Sequence, residues 1–178
     1  MKRTRYDGFH IALHWLIAAL IVAAFGLALY IDELPLSPLK FRLYSYHKWM
    51  GISVLILVAV RLLWRHAKGV PAPLPNQPRW QVVVANATHH TLYLLMFVLP
   101  LAGWAMSSAK GIPVVLFGVL PLPDWVPVDH DLGEILETAH KTLAWILAAL
   151  VAMHAAAAIK HHVIDKDDTL RRMLPGKS

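Results

Sequence analysis

The chain has 178 residues, a formal net charge of +6, 57% hydrophobic and 16% charged residues, and no cysteine. The missing cysteine excludes disulfides, iron–sulfur clusters, cysteine-ligated zinc and thiol catalysis. Charge is sparser than the roughly 25% of soluble domains and flanks long apolar runs, which argues against an ordinary soluble domain and assigns the basic balance to topology and lipid headgroups instead of nucleic acid.

The chain order predicts one all-α membrane domain over residues 1–178 with four transmembrane helices, at about 10–31, 41–63, 82–107 and 134–161. The first apolar run, Ile11 to Ile31, carries no Asp, Glu, Lys or Arg, and spans about 30 Å as a helix, enough to cross a hydrocarbon core. It is too long for a signal-peptide core and has no small-residue cleavage site after it. A short turn, Asp32 to Pro38, leads to the second helix, which begins with Lys40 and Arg42 and leaves through Arg61 and Arg65. Pro71, Pro73, Pro75 and Pro78 make the next connection an extended linker. The third helix is uncharged from Gln81 to Ser108, with a kink expected at Pro100. Ala109 to Gly133, with Pro113, Pro121, Pro123 and Pro127, reads as a loop against the membrane interface with one short helical turn. The tail from Asp165 to Ser178 reads as polar and exposed.

Lysine and arginine set the orientation. Lys2, Arg3, Arg5, Arg61, Arg65, Lys68, Arg79, Lys160, Lys166, Arg171, Arg172 and Lys177 fall on one side; Lys40, Arg42, Lys48, Lys110 and Lys141 fall on the other. The positive-inside rule then places both termini in the cytoplasm. The seven tryptophans are expected mostly near helix ends, as an aromatic belt.

Four histidines on these helices carry the chemistry. His140 and His154 are fourteen residues apart, so they return to nearly one face of a helix, about 21 Å apart along its axis. Ionisable groups inside a membrane mark functional sites by default. Helix direction gives depth: His14 and His154 fall near the cytoplasmic side, His47 and His140 near the outer side. Two depth-matched pairs suit two b-type haems, each held by two axial imidazoles. Residues four positions on from each histidine are Ala18, Gly51, Ala144 and Ala158, small enough to leave room for a porphyrin. His89 and His90 are alternatives to His14 or His154 as ligands. Zinc fits poorly, since structural zinc wants four ligands together and these fall two and two. His10, His66, His130 and His162 read as interfacial.

His14-Trp15, His47 with Lys48 and Gly51, His140 with His154, and the tail His161-His162 followed by Lys166-Asp167-Asp168-Thr169-Leu170-Arg171-Arg172-Met173 resemble the bacterial cytochrome b561 family. The histidine spacing is also shared with the cytochrome b subunits that anchor formate dehydrogenases and nickel–iron hydrogenases; the short tail and loops favour the stand-alone cytochrome. The resemblance implies a four-helix bundle enclosing two haems b in the inner membrane. For one branch it implies superoxide oxidase activity, with superoxide oxidised to dioxygen and its electron passed to ubiquinone. The alternative is a di-haem anchor passing electrons between a dehydrogenase, or another donor, and the quinone pool. Superoxide is an anion, and Lys48, Lys110, Lys141, Lys40 and Arg42 on the outer side are candidates to steer it, the other reading being that they meet headgroups or offset nearby acids. Ubiquinone is expected near the inner haem, between the third and fourth helices, where His89, His161 and Asn86 are candidate contacts with Trp80 nearby.

Overall fold

A computed structural model describes residues 5–72, 74 and 77–176. Lys2, Arg3, Pro73, Pro75, Lys177 and Ser178 lie outside the described residues. Four long helices dominate: α1 (Gly8–Glu33), α2 (Pro38–Lys68), α3 (Arg79–Ala109) and α4 (His130–Val163). Each is long and apolar enough to cross a membrane. All four run past the expected bounds, because polar end residues extend a helix beyond the apolar stretch that betrays it in sequence. Asp7 accepts from the backbone N–H of His10 at 3.0 Å to cap α1, Ser37 caps α2 ahead of Pro38, and Asp129 accepts from the N–H of Leu132 at 3.0 Å to cap α4. Gly69, at φ 72°, ends α2 where a side chain would be strained.

The helices pack as neighbours in the order α1–α2–α3–α4, with α4 lying closely along α3. The core joins all four: Ile17 of α1, Val54 and Val58 of α2, Leu92, Leu95 and Met96 of α3, and Leu147 of α4. Leu147 is seven residues from each of His140 and His154, so this apolar layer lies between the two histidine levels.

The α3–α4 connection differs from its expected form. It holds a two-stranded antiparallel hairpin, β1 (Val115–Leu116) with β2 (Leu120–Pro121), and no helical turn. Pro113 and Pro121 withhold the N–H groups a helix would use, and Gly118 at φ 76° supplies the reversal. Val114 and Leu116 pack with Ile52, Trp49 and Trp104, and the Trp49 indole donates to the Val115 carbonyl at 2.7 Å, so the hairpin is clamped over the end of the bundle opposite the termini.

The tail is not simply exposed. It turns back through a short 3-10 helix, α5 (Arg171–Met173), and the Met173 carbonyl accepts from the Trp15 indole at 2.7 Å. Arg5 donates to the carbonyls of Leu174 and Gly176, and Arg172 donates to that of Ala72 at 2.7 Å. Leu170, Met173 and Leu174 are half-buried, which supplies the apolar contact that the charged residues around them hide in the sequence. His10 is buried at 2% exposure and stacks on Tyr6, not interfacial. Trp145 sits mid-helix against Phe25, outside any belt.

Candidate functional site

Helix α4 carries two histidines on one face because of their fourteen-residue spacing, and the bundle sets a different helix against each. His47 of α2 faces His140 with ring centroids 6.2 Å apart and planes at 78°. His14 of α1 faces His154, again at 6.2 Å, with planes at 79°. The backbones of α1 and α2 do not lie closely along α4. The imidazoles therefore reach across a gap, and an added Cβ at Gly51, one turn from His47, would meet no atom within 4 Å.

These dimensions suit a metal held between two imidazoles. Histidine–metal bonds of about 2.0–2.1 Å on either side place the ring centroids roughly 6 Å apart. The outer rings are also oriented for it. His47 Nδ1 donates to the Ala24 carbonyl at 3.1 Å, and His140 Nδ1 donates to the Leu99 carbonyl at 3.1 Å. A proton held on Nδ1 leaves the Nε2 lone pair for a metal, the usual arrangement of a ligating histidine and its supporting carbonyl. The donor set, neutral imidazoles in two pairs with no thiolate, fits b-type haem.

Gly103 of α3 escapes a sequence reading centred on histidines. A Cβ there would lie 2.8 Å from His140 Cε1 and 3.1 Å from Nδ1, so only glycine lets α3 approach the ring edge-on. Its signal was a glycine in an apolar helix interior, just after Pro100.

The inner level is built differently. His89 of α3 stands 5.3 Å from His154, planes at 70°, making a third imidazole there. Among the described residues, neither His14 nor His154 is hydrogen-bonded by its ring nitrogens. Arg61 of α2 lies over the Tyr93 ring, Cζ 5.7 Å from the centroid, with Arg65 at 5.8 Å.

The basic residues of the outer end divide by partner. Lys110 pairs with Glu134 at 3.0 Å and with Glu137, and Lys141 pairs with Glu137 at 2.7 Å. Glu137 beside it holds the Lys110 ammonium above its ordinary pKa. Lys40 donates to the Leu34 carbonyl at 2.7 Å. Arg42 is exposed. Lys48, adjacent to His47, reaches the carbonyls of Ile112 and Pro113 at 3.4 and 3.5 Å and pairs with no carboxylate among the described residues.

The candidate quinone contacts do not form one cluster. His89 faces His154, whereas His161 lines a cavity of about 270 Å³ with Leu74, Gln77, Pro78, Gln81, Asp165 and Asp167. His161 Nδ1 lies 2.8 Å from Asp167 and 3.0 Å from Asp165. Burial works to raise the Asp167 pKa, and hydrogen bonds from Thr169 and His161 outweigh it, leaving the carboxyl below its ordinary value. Asn86 is exposed on α3, with its main-chain carbonyl engaged by His90 at 2.7 Å, and Trp80 is 65% exposed.

Residues 5–176 match the family described as prokaryotic cytochrome b561. Cytochrome b561 homolog 2 of Escherichia coli K12 is 36% identical over 175 residues, covering 98% of this chain and 93% of the relative. Cytochrome b561 homolog 1 of the same strain is 33% identical, with 96% and 97% covered, and the probable superoxide oxidase CybB of Yersinia pestis is 30% identical, with 97% of each covered. The chain belongs to the prokaryotic cytochrome b561 family, multi-pass membrane proteins that carry b-type haem and transfer electrons across the membrane.

Proposed function

We propose that this protein holds two haems b, the inner one between His14 and His154 and the outer one between His47 and His140, and that it oxidises superoxide on the outer side while reducing ubiquinone on the inner side. The observation that carries the reading is the repetition of one geometry, two facing imidazole pairs at 6.2 Å, at two levels of a single helix. The haems, when bound, supply the one-electron redox chemistry. The chain's own residues fix their spacing: fourteen residues of α4, about 21 Å along its axis, with the dry layer of Ile17, Val58, Leu95 and Leu147 between.

The reaction balances as two superoxide anions losing one electron each to give two dioxygen molecules, while one ubiquinone takes two electrons and two protons to give ubiquinol. Lys48 attracts the anion, because no carboxylate is in ion-pair contact with it among the described residues, although Asp124 lies near enough to act on it, and because it adjoins an outer ligand. Lys110 and Lys141 contribute less, since Glu137 binds both. Lys40 and Arg42 add to the field around the entry. At the inner end, His89 beside His154 is the candidate donor to a quinone carbonyl, and His161 with Asp167 is the candidate proton relay. Asn86, exposed on α3, borders the approach from lipid. The likeness to a probable superoxide oxidase supports this substrate. The excess of lysine and arginine at the terminal end supports cytoplasmic termini, in the inner membrane that the family resemblance implies.

The test mixes purified protein with a superoxide source and ubiquinone and follows haem reduction and ubiquinol formation together. Haem reduction by superoxide, followed by reoxidation on adding ubiquinone, is expected. Intact haems that superoxide does not reduce would overturn the substrate and leave an electron carrier for another donor, such as a dehydrogenase. Reporter fusions at Ser178 should be active only as cytoplasmic reporters; the opposite pattern would invert the two sides.

A further inference from the structure

Arg61 is a cation with which no carboxylate pairs among the described residues. It lies on the face of α2 that carries Val54 and Val58, one turn nearer the terminal end than Val58, which is fully buried in the core with Ile17. His14 stands one turn from Ile17 towards the same end. The ends of α1 and α2 are tied at that level by the Trp64 indole, which donates to Asp7 at 3.1 Å. On its other side the guanidinium covers Tyr93, one turn along α3 from His89, whose ring in turn meets that of His154. Arg61 thus belongs to the layer of the inner histidines, seven residues or about 10 Å inside the end of α2.

Its Nε is buried and has no hydrogen-bond partner, and none of the carboxylates among the described residues pairs with it. A guanidinium held at membrane depth beside Tyr93, Tyr6 and the like-charged Arg65, with no carboxylate paired to it, is costly, since tyrosine rings return only part of the lost hydration. The planar fork of arginine is matched to a carboxylate. The carboxylate at that level, Asp7, is taken by the Trp64 indole and the His10 N–H and does not pair with Arg61, whereas haem b carries two on one edge of the porphyrin. Among the described residues the outer level has no buried arginine of this kind; Lys110 and Lys141 are bound by Glu137, and Lys48 reaches the carbonyls of Ile112 and Pro113.

We propose that Arg61 is the counter-cation for a propionate carboxylate of the haem held by His14 and His154. The inference rests on the ligand assignment above. It has a consequence at the iron: a buried cation paired with the propionate favours the reduced haem, which carries one positive charge less, and keeps the propionate ionised.

The experiment is an optical redox titration of the purified holoprotein, with haem content measured alongside. Arg61→Gln is expected to retain two haems, to shift the inner haem's midpoint potential downwards, and to make it fall as pH rises between about 6 and 8, because the unpaired propionate now takes up a proton with the electron. The outer haem's potential should not move. Arg61→Lys should restore most of the parental potential and remove the pH slope. Should Arg61→Gln lose the haem, the parent chain reconstituted with haem dimethyl ester supplies a second arm: esterification removes the anion while Arg61 remains, and the inner potential should rise. Unchanged inner potentials in the Gln variant, or with the ester, would overturn the proposal and leave Arg61 to a lipid phosphate. A parent protein with one haem, or retention of both haems in His14→Ala, would instead overturn the ligand assignment.

Discussion

The two levels of the bundle present the same pair of facing imidazoles in opposite surroundings. At the outer level both rings are held by main-chain carbonyls, Ala24 for His47 and Leu99 for His140, and Gly103 lets α3 close against the ring edge. At the inner level, among the described residues, His14 and His154 have no such carbonyl; a third histidine, and Arg61 with its Nε unbonded, stand there instead. The charges differ too. Outer lysines are largely paired with Glu137 and Glu134, whereas no carboxylate pairs with Arg61 or Arg65 among the described residues. On the proposed ligand assignment, equal ligands in unequal fields would give unequal potentials. The outer level holds its rings by carbonyls, and on the proposal above the inner level would favour the arriving electron.

The comparison breaks most sharply by removing ligands. His47→Ala or His140→Ala is expected to halve the haem-to-protein ratio from two to one and abolish reduction by superoxide. His14→Ala or His154→Ala should also halve the ratio but leave the outer haem reducible, with ubiquinone reduction lost. A pyridine haemochrome assay read beside the reduced spectra checks this; a parental ratio near one would count against paired levels.

Gly103→Ala sharpens the contrast in packing. A methyl group 2.8 Å from the His140 ring must push it off the Leu99 carbonyl, at a cost of about 1–3 kcal/mol. Heating the variant and following the Soret band should show the outer haem leaving first, with inner-haem loss unchanged. Equal lability of both haems would mean that Gly103 serves general helix packing.

Charge supplies the next test. Lys48→Glu should slow haem reduction by superoxide about tenfold at low salt, an effect that shrinks as ionic strength rises. Lys141→Glu should do less, because Glu137 already offsets that lysine, and Arg171→Glu at the opposite end should do nothing. Stopped-flow rates over a range of salt decide between steering and simple lipid contact.

The smallest effect is expected at His89. His89→Leu should keep both haems, since His14 already faces His154 at 6.2 Å, and slow ubiquinone reduction by less than about tenfold. Loss of a haem in this variant would make His89 a ligand in place of His14.

Legibility in the sequence followed the range of the interaction. Helix number could be read because twenty or so apolar residues in a row have few other fates. Depth then assigned each histidine a level, since position along a helix is linear in residue number. The hairpin over Trp49 was missed because proline and glycine announce a break without saying what replaces the helix. The folded tail was missed because Leu170, Met173 and Leu174 are too few to stand out among charges.

The amino-acid order by itself determined the four spans, their alternation and the fourteen-residue interval between His140 and His154. Only the tertiary structure decided which carbonyl supports which ring, that Gly103 faces His140, that Glu137 takes up Lys110 and Lys141, and that the Arg61 Nε is buried with no hydrogen-bond partner among the described residues. The physical reason is rotation. Residue number fixes height along a helix closely, but the direction a side chain faces depends on which helix packs beside it, and that is settled by contacts between segments far apart in the chain.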